Sequence, residues 1–589
     1  MSPPQSSGAS APDKPSRSQR RSDARSAQAD SPQASGPDRS FLWAMLGAVL
    51  IVVSFPPIGL WPLGMLAPWP LALGAIGARS GGRAFWRFCL VGVVVLCGST
   101  WWLSETHVFN LAVVTVVEAP IFGLFGWIMH RVLRTGSLFP ALPAIFTAHE
   151  MFRMSWPETG YAWALLGQAL AASPILVQVA DLGGVLAVTF VGACLGTGLY
   201  AWHSGRDGRR PALAVVAFGI LYGVIRPATL GEPEPGPLLA TIQPGFDQQL
   251  KDNGQASDVR WGRCYEQVEA IALESAERGE EPDLLIFPET MWPWLTLVDG
   301  RGPGRLPEGA SAVDAQLRRD YGRHAPRIGQ LGQLFPGGNV SLLLGAHSLA
   351  LVTDAEANGV DEPQQVNTAL LINPDGLRVD RYDKHILIPG GEMIPFRGYM
   401  PEAVRSWLDR MVRDLAGFLP DLAPGPGPRT LTMPGAGGYG VEALPFGVTI
   451  CFENAYGDFN GKLVAAGARF LVNLSNEGWF GTSPEFDHME LQSILRVVET
   501  RRAMFRSTNT GISCLVRPDG RRPEGPDRCV VGGEDRGVAG TFTARVPLHD
   551  DWTLYVLWGD TVGWLCLGGT LLLLVRRRGS ERAALAGDR

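Results

Sequence analysis

The stretch GVTICFENAYGD, residues 447–458, runs from small β-forming residues into Cys451, with Glu453 two positions on. A cysteine at the end of a buried strand is either packing filler or a nucleophile. A nucleophile needs a base and a charge stabiliser close by, and α/β domains gather such groups at strand ends. The reading of Cys451 therefore depends on what the other strand ends of the chain hold.

Short β-rich runs recur over residues 238–548: LLATIQ, DLLIF, SLLLGAHSL, TALLINPDG, GVTIC, RFLVNLS, GISCLVRPDG and GTFTARVPL. Helical patterns separate several of them, as in VRWGRCYEQVEAIALESAERG and HMELQSILRVVETRRAMFRS. Strands alternating with helices define an α/β domain. The Pro/Gly-rich segments 299–309 and 421–438 read as loops. Three strand ends hold ionisable groups. DLLIFPET places Glu289 after an apolar strand, RYDKHILIPGGEMIPF places Lys384 and Glu392 after another, and GVTICFE places Cys451 after a third. Taken singly, a Glu at a strand end is a common helix cap, a Lys is commonly solvated and a buried Cys is commonly inert. Together they are chemically coherent. A carboxylate takes the thiol proton, an ammonium stabilises the oxyanion of a tetrahedral intermediate, and a second carboxylate keeps that ammonium charged and in place. This is machinery for acyl transfer through a thioester.

Outside this region the composition changes sharply. Residues 1–40 form a basic arm of Ser, Pro, Ala, Gln and Arg, read as disordered. Apolar runs long enough to cross a bilayer follow at 41–58, 60–78, 85–106, 109–130, 137–156, 175–201 and 211–228, and an eighth lies at 553–575. The first two are separated only by PPIGLWP and also fit one re-entrant hairpin. The domains read as seven transmembrane helices over 41–228, an α/β domain over 229–550, an eighth helix over 553–575 and a basic tail over 576–589. Arginines cluster in the arm, between runs two and three (Arg79, Arg83, Arg87), four and five (Arg131, Arg134), six and seven (Arg206, Arg209, Arg210), and in the tail (Arg576, Arg577, Arg578). The positive-inside rule puts all of these on the cytoplasmic side. The α/β domain then faces outward, in a bacterium on the periplasmic face of the inner membrane, with both termini inside. The arm is too long and polar for a signal peptide.

The net charge of -6 comes without a basic face large enough for nucleic acid. Of eight cysteines, Cys89, Cys97, Cys194 and Cys566 lie in apolar runs as filler; Cys514 with Cys529 is the one pair considered for a disulfide. No CxxC or Cys/His spacing indicates a metal, and no cofactor is called for. In FTAHEMFRMSW, Glu150 and Arg153 at i, i+3 read as a structural ion pair, and Asp181, Glu105 and Glu118 as similar structural charges. His385 reads as a loop residue, His488 as the start of a helix, and Asn476 in NLSNEGWF as a pocket-lining residue.

The Glu–Lys–Cys order, with FPE, a YxKxxLxPxGE-like stretch and CxE, resembles the nitrilase (carbon–nitrogen hydrolase) superfamily. Within it, the eight apolar runs, the external domain before the last run, NLSNEGWFG (473–481) and RSTNTGIS (506–513) resemble the apolipoprotein N-acyltransferase family over residues 41–575. The resemblance implies a four-layer α/β/β/α sandwich, with Glu289 as general base, Lys384 as oxyanion stabiliser and Cys451 as nucleophile. It implies supporting roles for Glu392 and Glu453, a substrate-gating arm at Trp261 and a lipid entrance at Trp479. The family usually has Tyr after the nucleophile, where this chain has Phe452. The implied reaction takes an acyl chain from a membrane phospholipid onto Cys451 and passes it to the α-amino group of a diacylated apolipoprotein. Such an enzyme draws both substrates from the lipid bilayer and shows ping-pong kinetics, and nothing in the sequence requires more than a monomer. The alternatives are a membrane-tethered amidase or nitrilase hydrolysing a C–N bond with the same triad, and a catalytically silent lipid-binding scaffold.

Overall fold

The computed structural model describes residues 39–587, apart from 135–136, 157–159, 249–256, 300–311, 339, 352, 355–358, 361–362, 375–377, 417–418 and 435–442. The arm through residue 38 lies outside the described residues, as do parts of the two Pro/Gly-rich segments.

Among the described residues, two large sheets form the α/β region, beside a two-stranded ribbon of Thr353–Asp354 and Gly359–Val360. The first runs, in spatial order, Gly540–Leu548, Glu234–Gln243, Leu284–Phe287, Ser341–Leu351, Gln364–Ile372 and Arg378–Asp383, with Thr296–Asp299 paired beside Ser341–Leu351. The second runs Cys514–Val516, Met504–Thr508, Leu471–Ser475, Ala443–Ile450 and Thr430–Pro434. Alternation along each strand assigns the faces. In the first sheet Leu239, Leu284, Ile286 and Leu343 point to the second sheet and share a core with Val448, Ile450, Val472 and Leu474. Their neighbours Ala240, Ile242, Leu285 and Phe287 point the other way, onto Cys264, Val268 and Ile271 of the helix Ser257–Arg278. The helices Gly457–Ala465 and Glu485–Thr500 cover the outer face of the second sheet. The layers are therefore helix, sheet, sheet, helix. A hydrogen bond between Thr241 Oγ1 and Ser507 Oγ, 2.6 Å long, ties the two sheets inside the sandwich.

Every strand expected from pattern is present, and others add to them. Thr430–Pro434, expected as loop, pairs antiparallel with Ala443–Ile450. It is an edge strand ending in proline, a position where a missing N–H costs no ladder bond.

In the helical region, among the described residues, four helices are long and apolar enough to cross a membrane: Gly81–Ser99, Phe109–Val132, Leu176–Ser204 and Arg209–Thr229. The other expected runs form shorter apolar helices. Residues 60–78 break into Trp61–Gly64 and Pro68–Ile76 at a proline-rich junction. Ala141–Ser155 spans 15 residues, 12 of them buried, which lets it hold His149, Glu150 and Arg153 inside the bundle.

The expected Glu150–Arg153 pair does not form. Arg153 Nε donates to Glu118 at 2.6 Å, while Glu150 accepts from Leu166 N–H at 2.7 Å and Thr189 Oγ1 at 2.6 Å. Helical spacing puts Glu150 and Arg153 on one face, but neighbouring helices offer both of them closer partners. Cys514 and Cys529 are free thiols. Cys514 pairs across a bridge with Arg528, so the side chain of the next residue, Cys529, points to the opposite face.

The helices and the sandwich share one continuous core. Gly183 and Gly184 break the helix Ala180–Ser204, and Gly184 takes φ +70° against the Tyr555 ring. The break frees the Val185 N–H, which donates to Glu499 of the sandwich at 2.9 Å. Asp181, one turn earlier, accepts from Arg226 at 2.8 Å and from Arg501 of the sandwich at 2.7 Å. A buried arginine and carboxylate without such partners would carry a large desolvation cost, so these pairs dictate how the two regions dock.

Candidate active site

Glu289, Lys384 and Cys451 meet at one end of the sandwich, the first two from one sheet and the third from the other. Each stands just past the end of its strand. Pro288 and Glu289 pass so close to Gly345 that a Cβ there would lie 2.1 Å from the Pro288 carbonyl. Cys451 has φ +53°, a left-handed conformation rare for a residue with a side chain. The strand turns sharply there into a short helix, Cys451–Ala455. Strain of this kind persists only where the surroundings hold it.

Glu453 supplies that hold. Its Oε2 accepts from Ile450 N–H at 2.8 Å, immediately before the turn. Its Oε1 accepts from Tyr382 Oη at 2.6 Å, His385 N–H at 2.7 Å and Ile386 N–H at 3.0 Å. One buried carboxyl thus joins the cysteine turn to the loop bearing Lys384. Burial holds that carboxyl above the usual carboxylate range despite its donors.

Lys384 is 1 % exposed. Its Nζ lies 2.7 Å from Glu392 Oε1 and 3.6 Å from Glu289 Oε1. Burial works against its charge, but Glu392, Cys451 and Glu289 outweigh burial and keep its pKa above that of a free lysine. Glu392 is itself anchored, accepting from Ile388 N–H at 2.9 Å. Glu289 accepts from Asn367 Nδ2 at 2.8 Å and from Asn476 N–H at 2.9 Å, so its orientation is set from three sides. The Cys451 thiol is pushed well up, first by burial and next by the Glu289 charge, with Lys384 pulling the other way. The resting sulfur is therefore a thiol.

The other side of the site is aromatic. Phe452 stacks on Trp163 of the helical region at 6.5 Å and 13°, and meets Tyr456 edge-on at 5.2 Å. Trp163 packs on Trp102, and Trp102 on Phe480 and His488. Burial pushes His488 down to about 4, so this histidine is neutral and behaves as another ring in the wall.

Asn476 reaches the site through its backbone, and its side-chain oxygen accepts from Asn509 Nδ2 at 2.8 Å. Trp479 stands on the short turn Glu477–Phe480, 44 % exposed. Trp261 sits apart, clustered with Trp292 and Trp294 just beyond the Glu289 loop. Asn367, Asn509, Trp102 and Trp163 were not singled out from sequence. Asn367 lies in a strand otherwise read as core, and the two tryptophans lie in or beside apolar runs, so nothing local separates them from packing residues. Among the described residues no group of His, Cys, Asp and Glu is placed to hold a metal ion.

The layered sandwich carries a carboxylate, an ammonium and a thiol at its strand ends, and residues 266–529 match the carbon–nitrogen hydrolase family model. Residues 47–198 match the apolipoprotein N-acyltransferase N-terminal domain. Relatives extend over nearly the whole chain. An apolipoprotein N-acyltransferase of Geobacter metallireducens is 26% identical, covering 91% of this chain and 95% of its own. One of Chlorobaculum tepidum is 28% identical, covering 92% and 97%. Among solved structures, an amidase from a Nesterenkonia species aligns with TM-score 0.32 at 16% identity, over 55% of this chain and 94% of its own. The chain belongs to the apolipoprotein N-acyltransferase family of the nitrilase superfamily, and it is an acyltransferase.

Proposed function

We propose that this protein N-acylates the terminal diacylglyceryl-cysteine of apolipoproteins in two steps, with Cys451 as nucleophile, Glu289 as base and Lys384 as oxyanion stabiliser. The observation that carries this reading is the meeting of those three groups on one side of Cys451 with an aromatic wall, shared between the sandwich and the loops of the helical region, on the other. In the first step Cys451 attacks an acyl ester of a phospholipid. Glu289 takes the thiol proton and returns it to the leaving alkoxide, so a lysophospholipid departs and an acyl thioester remains. Lys384 stabilises the tetrahedral oxyanion. A resting thiol, raised by burial and by Glu289, suits this order: deprotonation accompanies attack, and the site stays unreactive without substrate. In the second step the α-amino nitrogen attacks the thioester carbon. The C–S bond breaks, the surplus amine proton passes to Glu289, and the sulfur takes it back.

Water competes with the amine at the thioester, so the site must be dry. The ring cluster of Phe452, Trp163, Trp102 and Phe480 faces the helices and favours lipid over water. We place the protein in the bacterial inner membrane with eight spans, both termini cytoplasmic and the sandwich periplasmic, on the distribution of arginines. Trp261 and Trp479 are proposed at the substrate approach and Asn476 as a support for Glu289. Donor phospholipid, acceptor lipopeptide and purified protein should yield N-acylated lipopeptide, read by mass spectrometry, and C451A should yield none. Hydrolysis of small amides without lipopeptide product would favour an amidase instead.

A further inference from the structure

The second step needs a group that receives the amine, and the acids already described are occupied. Glu453 has four donors, Glu392 has Lys384 and Ile388 N–H, and Glu289 has Asn367, Asn476 and Lys384. Two further buried acids each have an arginine, Glu477 with Arg506 at 2.7 Å and Glu499 with Arg496 at 2.7 Å. Glu485 differs from these in one respect: it makes no ion pair among the described residues. It is 2 % exposed, and its Oε2, like those of Glu477 and Glu499, is buried without a hydrogen-bond partner.

Its position is informative. Glu485 opens the helix Glu485–Thr500, which packs on the turn containing Cys451 and on the turn Glu477–Phe480. Asn454, three residues after Cys451, is bonded to that helix at Met489 and Ser493. Glu485 lies within electrostatic reach of both Cys451 and Glu289. An acid in a first helical turn is commonly a dipole partner, but Asp487 also lies in that turn and is held by Arg522 and Arg536. Burial, with Glu477 beside it, pushes the Glu485 carboxyl well up. A neutral carboxyl keeps a carbonyl oxygen to accept an N–H, and it does not trap the amine as an ammonium ion. An unsatisfied buried carboxyl is a stability cost that calls for a function.

We infer that Glu485 is the acceptor-amine site, its Oε2 receiving an N–H of the incoming α-amino group and aiming the nitrogen at the Cys451 thioester. This rests on the two-step reading above. No new bond or proton transfer is added: the amide forms, the C–S bond breaks, and the proton follows the route through Glu289.

The two half-reactions separate the assignment from that reading. Purified E485M, E485Q and unsubstituted protein are incubated with phosphatidylethanolamine vesicles, and acyl-Cys451 and lysophospholipid are followed by mass spectrometry. A diacylglyceryl-cysteine lipopeptide is then added. E485M should form acyl-Cys451 at the unsubstituted rate and melt at an equal or higher temperature. Its KM for lipopeptide should rise about tenfold, the worth of one hydrogen bond to a buried group. E485Q keeps a carbonyl oxygen and should stay within about threefold of the unsubstituted protein. Unchanged transfer by E485M, equal impairment of both half-reactions, or E485Q as slow as E485M would overturn the assignment. Absence of acyl-Cys451 in the unsubstituted protein would instead overturn the two-step reading, and this assignment with it.

Discussion

The two sides of Cys451 are built on opposite principles. On one side stand Glu289, Lys384, Glu392 and Glu453, joined by short directional bonds to named donors. On the other stand Phe452, Trp163, Trp102, Phe480 and His488, which meet through ring contacts. Directional bonds fix atoms to within a few tenths of an ångström, as proton transfer and oxyanion stabilisation require. Ring packing fixes a surface and its dryness but specifies no single partner. In the proposed reaction the polar side sets which bond reacts, and the aromatic side sets what approaches it.

Substitutions should divide along that line. C451A should abolish acyl transfer altogether, with no acyl adduct on the intact protein by mass spectrometry. E289Q should lower acylation of Cys451 by about a thousandfold or more, within the range for losing a general base. The same variant should nevertheless alkylate faster with iodoacetamide at pH 8, because removing the Glu289 charge lowers a thiol pKa that Glu289 helps to raise. A slower alkylation would mean that Glu289 activates the resting thiol instead of holding its pKa up.

E453A leaves four buried donors without an acceptor. It should cost about 3–5 kcal/mol of stability, read as a fall in melting temperature, as for other broken buried networks. On the aromatic side, His488 predicts a pH effect. Its folded pKa of about 4 lies below the ordinary 6.5, so the unfolded chain binds the extra proton between those values. The sign follows: this contribution is present above pH 6.5 and is lost as pH falls toward 4. It amounts to about 3 kcal/mol at full extent, from about 1.4 kcal/mol per unit. The difference in stability between the native protein and H488F should therefore change by that order from pH 7 to pH 4, and a flat difference would refute the neutral-ring role. F452Y should be the mildest, with turnover within about threefold, because the ring stack on Trp163 is preserved and one hydroxyl is added to a surface of rings.

How much of this was legible beforehand follows the same division. The three strand ends could be read because each places an ionisable residue directly after an apolar run, a local signal. The aromatic wall could not, since tryptophans within or beside apolar runs look like packing or interface residues until the sandwich is docked on them. The helical region was legible as apolar but not in its lengths: prolines broke residues 60–78, and Ala141–Ser155 proved a short buried helix.

The sequence by itself determined the α/β alternation, the apolar character of the helical region and the chemical types at the site, because period, composition and residue chemistry are local properties. Only the tertiary structure decided who pairs with whom. Arg153 took Glu118, 35 residues away, over Glu150 on its own helix face. Glu453 gathered Tyr382 from 71 residues away. Glu485 received no ion-pair partner among the described residues, although Arg506 lies close enough to act on it. In a close-packed interior each buried charge takes the partner that packing brings nearest, and that choice is not written in the spacing of any one segment. GVTICFENAYGD supplied the candidate nucleophile; the carboxyl two residues on became the hub of the site only when a second sheet was laid against it.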